Sequence, residues 1–166
     1  AAIVLRSKYK EIAEQGKPLV DPMCGTGTLL VEAAYIAANI APGLLREYYG
    51  FLGWKQHQPE LWQKVYDEAL EGLEEGKAKL PPITGIDISE RAIEASRENI
   101  KAALLHKNIQ VINADSIEEK NPDAGSDITG MIITNPPYGE RLGDVRTLST
   151  LYHNLGQLLK TQYQNW

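Results

Sequence analysis

The ten residues Leu19-Val20-Asp21-Pro22-Met23-Cys24-Gly25-Thr26-Gly27-Thr28 decide how this chain folds. A short strand, Leu19-Val20-Asp21, runs into a turn carrying two glycines, and an apolar helix from Leu29 to Ile40 follows at once. Gly25 and Gly27 remove side chains where a ligand must approach the backbone. The helix behind them offers unpaired N–H groups and the positive end of its dipole, which suits a carboxylate or a phosphate. The turn is not a P-loop, because no Gly-Lys-Ser/Thr follows. It is not a full dinucleotide fingerprint either, since Leu30 fills the third glycine position. On its own, the stretch also reads as a tight turn and nothing more.

Outward from that turn, helical and extended patterns alternate. Ala1 to Gln15 reads as one helix, with Val4, Leu5, Ile12 and Ala13 apolar, and Gly16-Lys17-Pro18 breaks it. This helix starts in an apolar run without a capping residue, so we expect a trimmed terminus or further protein ahead of it. Ala41-Pro42-Gly43 ends the helix behind the turn. Residues 43–59 show no period and are rich in Tyr, Trp and Gly. From Glu60 to Leu80, Trp62, Val65, Tyr66, Ala69, Leu70 and Leu73 recur at helical spacing until Pro81-Pro82. A strand from Ile83 to Ile88 follows, with Ser89 placed to cap a helix from Glu90 to Leu105. Ile109–Asn113 and Gly130–Thr134 read as strands, Asn121–Ser126 as a polar loop, and Thr147–Tyr163 as a last helix. Strands alternating with helices indicate an α/β fold: a mostly parallel sheet covered on both faces. In such sheets ligands bind at the carboxyl ends of the strands, near the switch in strand order.

Composition narrows the function. The 166 residues fit one domain, with 43% hydrophobic and 23% charged residues, which excludes a disordered or fibrous chain. We expect a single domain over 1–166 with a helical, aromatic insertion at about 42–80. The 17 Lys and Arg against 22 Asp and Glu leave a net charge of −5, which disfavours a free-standing nucleic-acid clamp. The single cysteine, Cys24, excludes a disulfide framework and any multi-cysteine zinc site. His57, His106 and His153 lie in separate elements, so no metal is expected. No run of 18 apolar residues and no signal-type start is present, and the chain reads as cytoplasmic with no membrane partner.

Three further clusters stand at or just after strand ends. In Gly85-Ile86-Asp87-Ile88-Ser89, an acidic residue closes the second strand and is placed to accept from both hydroxyls of a ribose; it also reads as a plain helix-cap acid. In Asn113-Ala114-Asp115, the carboxylate suits an exocyclic adenine amine, or is a solvated loop acid. Asn135-Pro136-Pro137-Tyr138 is the most telling. Two prolines fix φ and remove two donors, leaving carbonyls free to face a ligand. Asn135 adds an amide oxygen, and Tyr138 a stacking face.

Asp21-Pro22-Met23-Cys24-Gly25-Thr26-Gly27-Thr28 resembles motif I of S-adenosylmethionine-dependent amino-methyltransferases, and Asn135-Pro136-Pro137-Tyr138 resembles their catalytic (N/D)PP(Y/F) motif. With APGL, GFLGW, GIDIS and NPPYGERLG, nearly the whole chain is similar to the bacterial THUMP-type methyltransferases that modify guanine N2 in large-subunit ribosomal RNA, a family also labelled N6-adenine-specific DNA methylases. Tyr138-Gly139-Glu140-Arg141 is the stretch most suggestive of guanine. The resemblance implies a Rossmann-like class I methyltransferase fold with S-adenosylmethionine as cofactor. It implies that Asp21, Pro22, Cys24, Gly25, Thr26, Gly27 and Thr28 form the turn that holds the methionine end. Asp87 and Ile88 would meet the ribose, and Asp115 the adenine amine. Asn135 would border both cofactor and target, with Pro136, Pro137 and Tyr138 completing the catalytic turn. The family's RNA-binding THUMP domain has no match here, and its sheet continues beyond the NPPY strand, so we expect the chain to be the cofactor part of a catalytic domain, truncated at its C-terminal end.

Other residues take plainer readings. Cys24 is expected to be a small packed residue, Trp54 and Trp62 to pack in the insertion, and Glu71, Glu74 and Glu75 to form a solvated face beside Lys77 and Lys79. Two substrate alternatives stay open: N6 of adenine in nucleic acid, and the amide nitrogen of a protein glutamine. A non-catalytic cofactor-binding module of a larger RNA-modifying protein is the reading from another class. A nicotinamide dehydrogenase is disfavoured by the missing third glycine and has no use for NPPY.

Overall fold

Side chains alternate across a strand, so each strand here must satisfy two different faces. The computed structural model describes residues 2–121, 127–138 and 145–166. Among them, β1 (Leu19–Asp21), β2 (Ile83–Asp87), β3 (Ile109–Asn113) and β4 (Met131–Ile132) pair in parallel in the order β3-β2-β1-β4. Leu19 lies beside Ile83, and Ile83 beside Ile109. These three, with Ile133, enter the larger core under α1 (Ala2–Arg6), α2 (Tyr9–Ala13), α3 (Thr28–Ala37) and α5 (Glu90–Ala102). Val20 and Ile86 point the other way, against Leu155, Leu158 and Tyr163. Leu155 and Leu158 belong to α6 (Val145–Gln162). The sheet is therefore covered on both faces, as the alternation of patterns predicts.

Several boundaries differ from expectation for identifiable reasons. The single N-terminal helix is two, divided at Lys8, whose φ is 59°. In one straight helix Val4 and Tyr9 would sit about 140° apart around the axis. The break lets both side chains become fully buried. The helix behind the first turn stops at Ala37, and Asn39 then adopts φ 53° while Ile40 N–H bonds back to Tyr35 O. The expected Gly130–Thr134 strand is reduced to two residues, although Met131 N–H to Pro18 O and Ile133 N–H to Val20 O continue its pairing with β1.

The segment between α3 and β2 is built on α4 (Pro59–Ala78), where only Leu73 is fully buried. Tyr49 and Phe51 pack edge-on to Trp62 at 4.7 and 4.8 Å. Trp54, expected to pack there too, is 71% exposed. Asn121 is buried and tied to Gln162 by its backbone and side-chain N–H groups, while the rest of the expected polar loop lies outside the described residues. No described helix is long and apolar enough to cross a membrane.

Candidate functional site

The chain leaves β1 for β2 and β3 on one side, then returns with β4 on the other. That is the switch in strand order, and a crevice opens there at the carboxyl ends. It holds a cavity of about 800 Å³ lined by Pro22, Met23, Gly25, Asp87, Ile88, Asp115, Ser116, Ile117, Asn135 and Pro137, with Thr150, Leu151 and Asn154 of α6 forming another wall.

The first turn is braced from several sides. Gly25 and Gly27 take φ 52° and 78°, conformations a side chain resists. A Cβ on Gly27 would also collide with Ser96 Oγ of α5. Cys24 N–H donates to Ile86 O (2.9 Å), Gly25 N–H to Asp87 Oδ2 (2.8 Å), and Asn99 Nδ2 to Thr26 O (2.9 Å). Asp87 is thus fixed by the turn it faces, and its Oδ1 accepts from Ser89 N–H at 2.9 Å. Ser89 caps α5 through Ala92 N–H, as expected. A carboxylate oxygen has two lone pairs, so both oxygens of Asp87 keep capacity toward the cavity.

Asp115 accepts from Ile117 N–H at 3.0 Å through Oδ1, and Oδ2 has no hydrogen-bond partner among the described residues. Asn135 is exposed at the cavity wall, and its side chain makes no hydrogen bond among the described residues. Beyond it Pro137 lines the cavity, and Tyr138 is 61% exposed. No three described His, Cys, Asp or Glu side chains come together as a possible metal-ligand set.

Not every predicted site residue reaches the cavity. Asp21 is 1% exposed and accepts from Met23 N–H at 3.1 Å. Burial pushes its carboxyl up to about 6, with Asp87's charge adding to this, while the Thr134 hydroxyl and the Met23 amide pull it down. Asp21 thus supports the turn from behind and is not among the residues lining the cavity. Cys24 is likewise buried, packed in the core behind the turn, and burial, aided by the charges of Asp21 and Asp87, pushes its thiol up to about 12. Thr26, Gly27, Thr28 and Pro136 shape the two turns without lining the cavity. Met23, Ser116, Ile117 and the α6 residues were not singled out in the sequence. Ser116 and Ile117 simply follow Asp115, but nothing local marks Thr150, Leu151 or Asn154.

Residues 1–166 match the RMKL-like methyltransferase domain. The chain is 46% identical to the ribosomal RNA large subunit methyltransferase K/L of Methylococcus capsulatus and 45% identical to that of Syntrophotalea carbinolica. Both alignments cover all of this chain but only 22% and 23% of those proteins, so it spans less than a quarter of their length. Among solved structures, it resembles SMU.472 complexed with SAH, at 34% identity and a TM-score of 0.81 over 96% of this chain and 39% of that one. A predicted N6-adenine-specific DNA methylase from Listeria monocytogenes aligns at 33% identity with a TM-score of 0.75, over 88% of this chain and 37% of that one.

Proposed function

The chain belongs to the RMKL-like methyltransferase domain family, and on that premise we propose that it serves S-adenosylmethionine-dependent methyl transfer to an exocyclic amino group, guanine N2 of large-subunit ribosomal RNA. One observation carries the reading: Asp87, Asp115 and Asn135, from three different strand ends, line a single cavity beside the Gly25 turn. Relatives named as large-subunit rRNA methyltransferases, and a neighbour solved with SAH, support it. The RNA substrate places the reaction in the cytoplasm. The net charge of −5 suits a division in which RNA is gripped elsewhere, by a domain of the THUMP type that the family resemblance implies.

The cavity suits such a cofactor on its donor set. Asp87, held by Gly25 and Ser89 amides, would accept from the ribose hydroxyls. Asp115 Oδ2 would accept from the adenine amine. Met23 and the Gly25 backbone would border the methionine end. The bound cofactor would supply an electrophilic methyl on a sulfonium. The protein's part is then to place the amine and handle its charge. The target nitrogen's lone pair is delocalised into the base. Asn135 Oδ1 and the Pro136 carbonyl would accept its N–H groups, favour a tetrahedral nitrogen, and stabilise the positive charge that develops. The methylated cation is acidic enough to release its proton to solvent, so no strong base is needed. Tyr138 would stack on the target base, which must be unpaired or flipped to reach the cavity.

Calorimetric titration with S-adenosylhomocysteine, beside NADH and an Asp87→Ala variant, tests the cofactor half. Selective binding weakened by the substitution is expected, and NADH binding would sink it. Methylation of rRNA lacking the modification by the native full-length protein tests the target. Transfer to adenine or to a protein glutamine instead would move the assignment to those substrates.

A further inference from the structure

Pro136 and Pro137 carry no N–H, so the middle of the Asn135–Tyr138 turn offers no backbone donor to pin it. The sheet releases the chain just before it: Ile133 N–H to Val20 O is the last ladder bond on this segment among the described residues. Hydrogen-bond restraint at the two prolines must then act through their carbonyls. One such restraint comes from α6, where Tyr152 Oη donates to Pro137 O at 3.2 Å. The residues around Tyr152 serve neighbouring surfaces of the same helix: Leu151 and Asn154 line the cavity, and Leu155 packs on the sheet. α6 is therefore seated on the core and faces the turn from a fixed position.

We propose that Tyr152 is a positioning residue for the methyl acceptor: its phenol fixes the Pro137–Tyr138 peptide plane, and through it the ring of Tyr138. The peptide unit is planar. Holding the Pro137 carbonyl therefore also sets the direction of Tyr138's N–H and Cα. Tyr138 is 61% exposed, so packing does little to hold its ring. The Tyr152 bond leaves the Pro136 carbonyl free for the target amine. This inference rests on the methyl-transfer reading, in which Tyr138 carries the target base.

The test uses Tyr152→Phe in the native full-length protein with unmodified rRNA. Removing only the hydroxyl should lower kcat on the order of 10- to 100-fold, the scale of a small misplacement of reacting groups. S-adenosylhomocysteine affinity and Tm should stay at wild-type values. Adding Tyr152→Phe to Tyr138→Ala should cost nothing further, because both act through one ring. An unchanged kcat overturns the proposal, as does a loss that tracks weaker cofactor binding or lower Tm. Fluorine NMR on protein with 3-fluorotyrosine at position 138 gives a readout independent of turnover. One sharp resonance that broadens or splits in Tyr152→Phe supports the tether, and identical spectra overturn it. A wild-type protein that binds S-adenosylhomocysteine but methylates no RNA would sink the substrate reading instead, while the spectra still decide the tether.

Discussion

Two turns meet at the cavity, and they are held in opposite ways. The turn after β1 is over-determined: two glycines in left-handed conformations, and hydrogen bonds from Cys24, Gly25 and Asn99 that reach β2 and α5. The turn after β4 leaves a two-residue strand, relies on the fixed φ of two prolines, and takes a carbonyl restraint from Tyr152. The difference teaches a division of labour. The first turn draws its rigidity from hydrogen bonds to the β2 and α5 elements packed around it. The second draws its rigidity from the proline rings, and of its acceptors the Pro137 carbonyl is engaged by Tyr152 while the Asn135 side chain makes no hydrogen bond among the described residues.

The largest expected effect lies in the second turn. Asn135→Ala should lower kcat on the order of 10²- to 10³-fold by removing a preorganised acceptor. Cofactor affinity and stability should be little changed, and a variant retaining turnover would break the contrast. Next comes Gly27→Ala in the first turn. It combines φ 78° with a collision at Ser96 and should cost on the order of 2–4 kcal/mol in urea unfolding. A neutral result would mean the turn is not over-determined.

Asp21 gives a pH-dependent test. Its folded value near 6, raised above the ordinary 3.8, means that the folded protein binds this proton more tightly than the unfolded chain. The penalty is full above about pH 6, so this group's contribution to stability should improve as pH falls from about 6 toward about 4. The span is about 3 kcal/mol at most, at 1.36 kcal/mol per unit. Asp21→Asn should flatten that segment of the stability–pH profile, and an unchanged slope would overturn the assignment. The smallest effect is Pro137→Ala. Only unfolded-state entropy is lost, about 0.4–1 kcal/mol in chemical denaturation. A cost matching that of Gly27→Ala would erase the difference between the two turns.

Much of this was legible locally. The glycine turn, the Ser89 cap and the β3 boundaries follow from residue types and spacing, because they depend on neighbours within a few positions. Lys8 carries no signal for its left-handed conformation, since the break arises from burying both Val4 and Tyr9. Trp54 and Trp62 look alike in sequence, yet one is exposed and the other sits among Tyr49, Phe51 and Tyr66. Tyr138-Gly139-Glu140-Arg141, read as the stretch suggestive of guanine, lies outside the described residues after Tyr138.

By itself the sequence determined the α/β class, the placement of acidic and Asn-Pro-Pro-Tyr motifs at strand ends, and the chemistry those side chains offer. These properties are carried by local propensity and short spacing. Only the tertiary structure decided that Asp21 faces inward while Asp87 faces the cavity, that Gly25 and Asp87 fasten each other across 62 positions of sequence, and that α6 lends Tyr152 to the Pro136-Pro137 turn. Those outcomes depend on which strand lies beside which and on which face of each helix the core claims, and no short stretch of sequence contains that information.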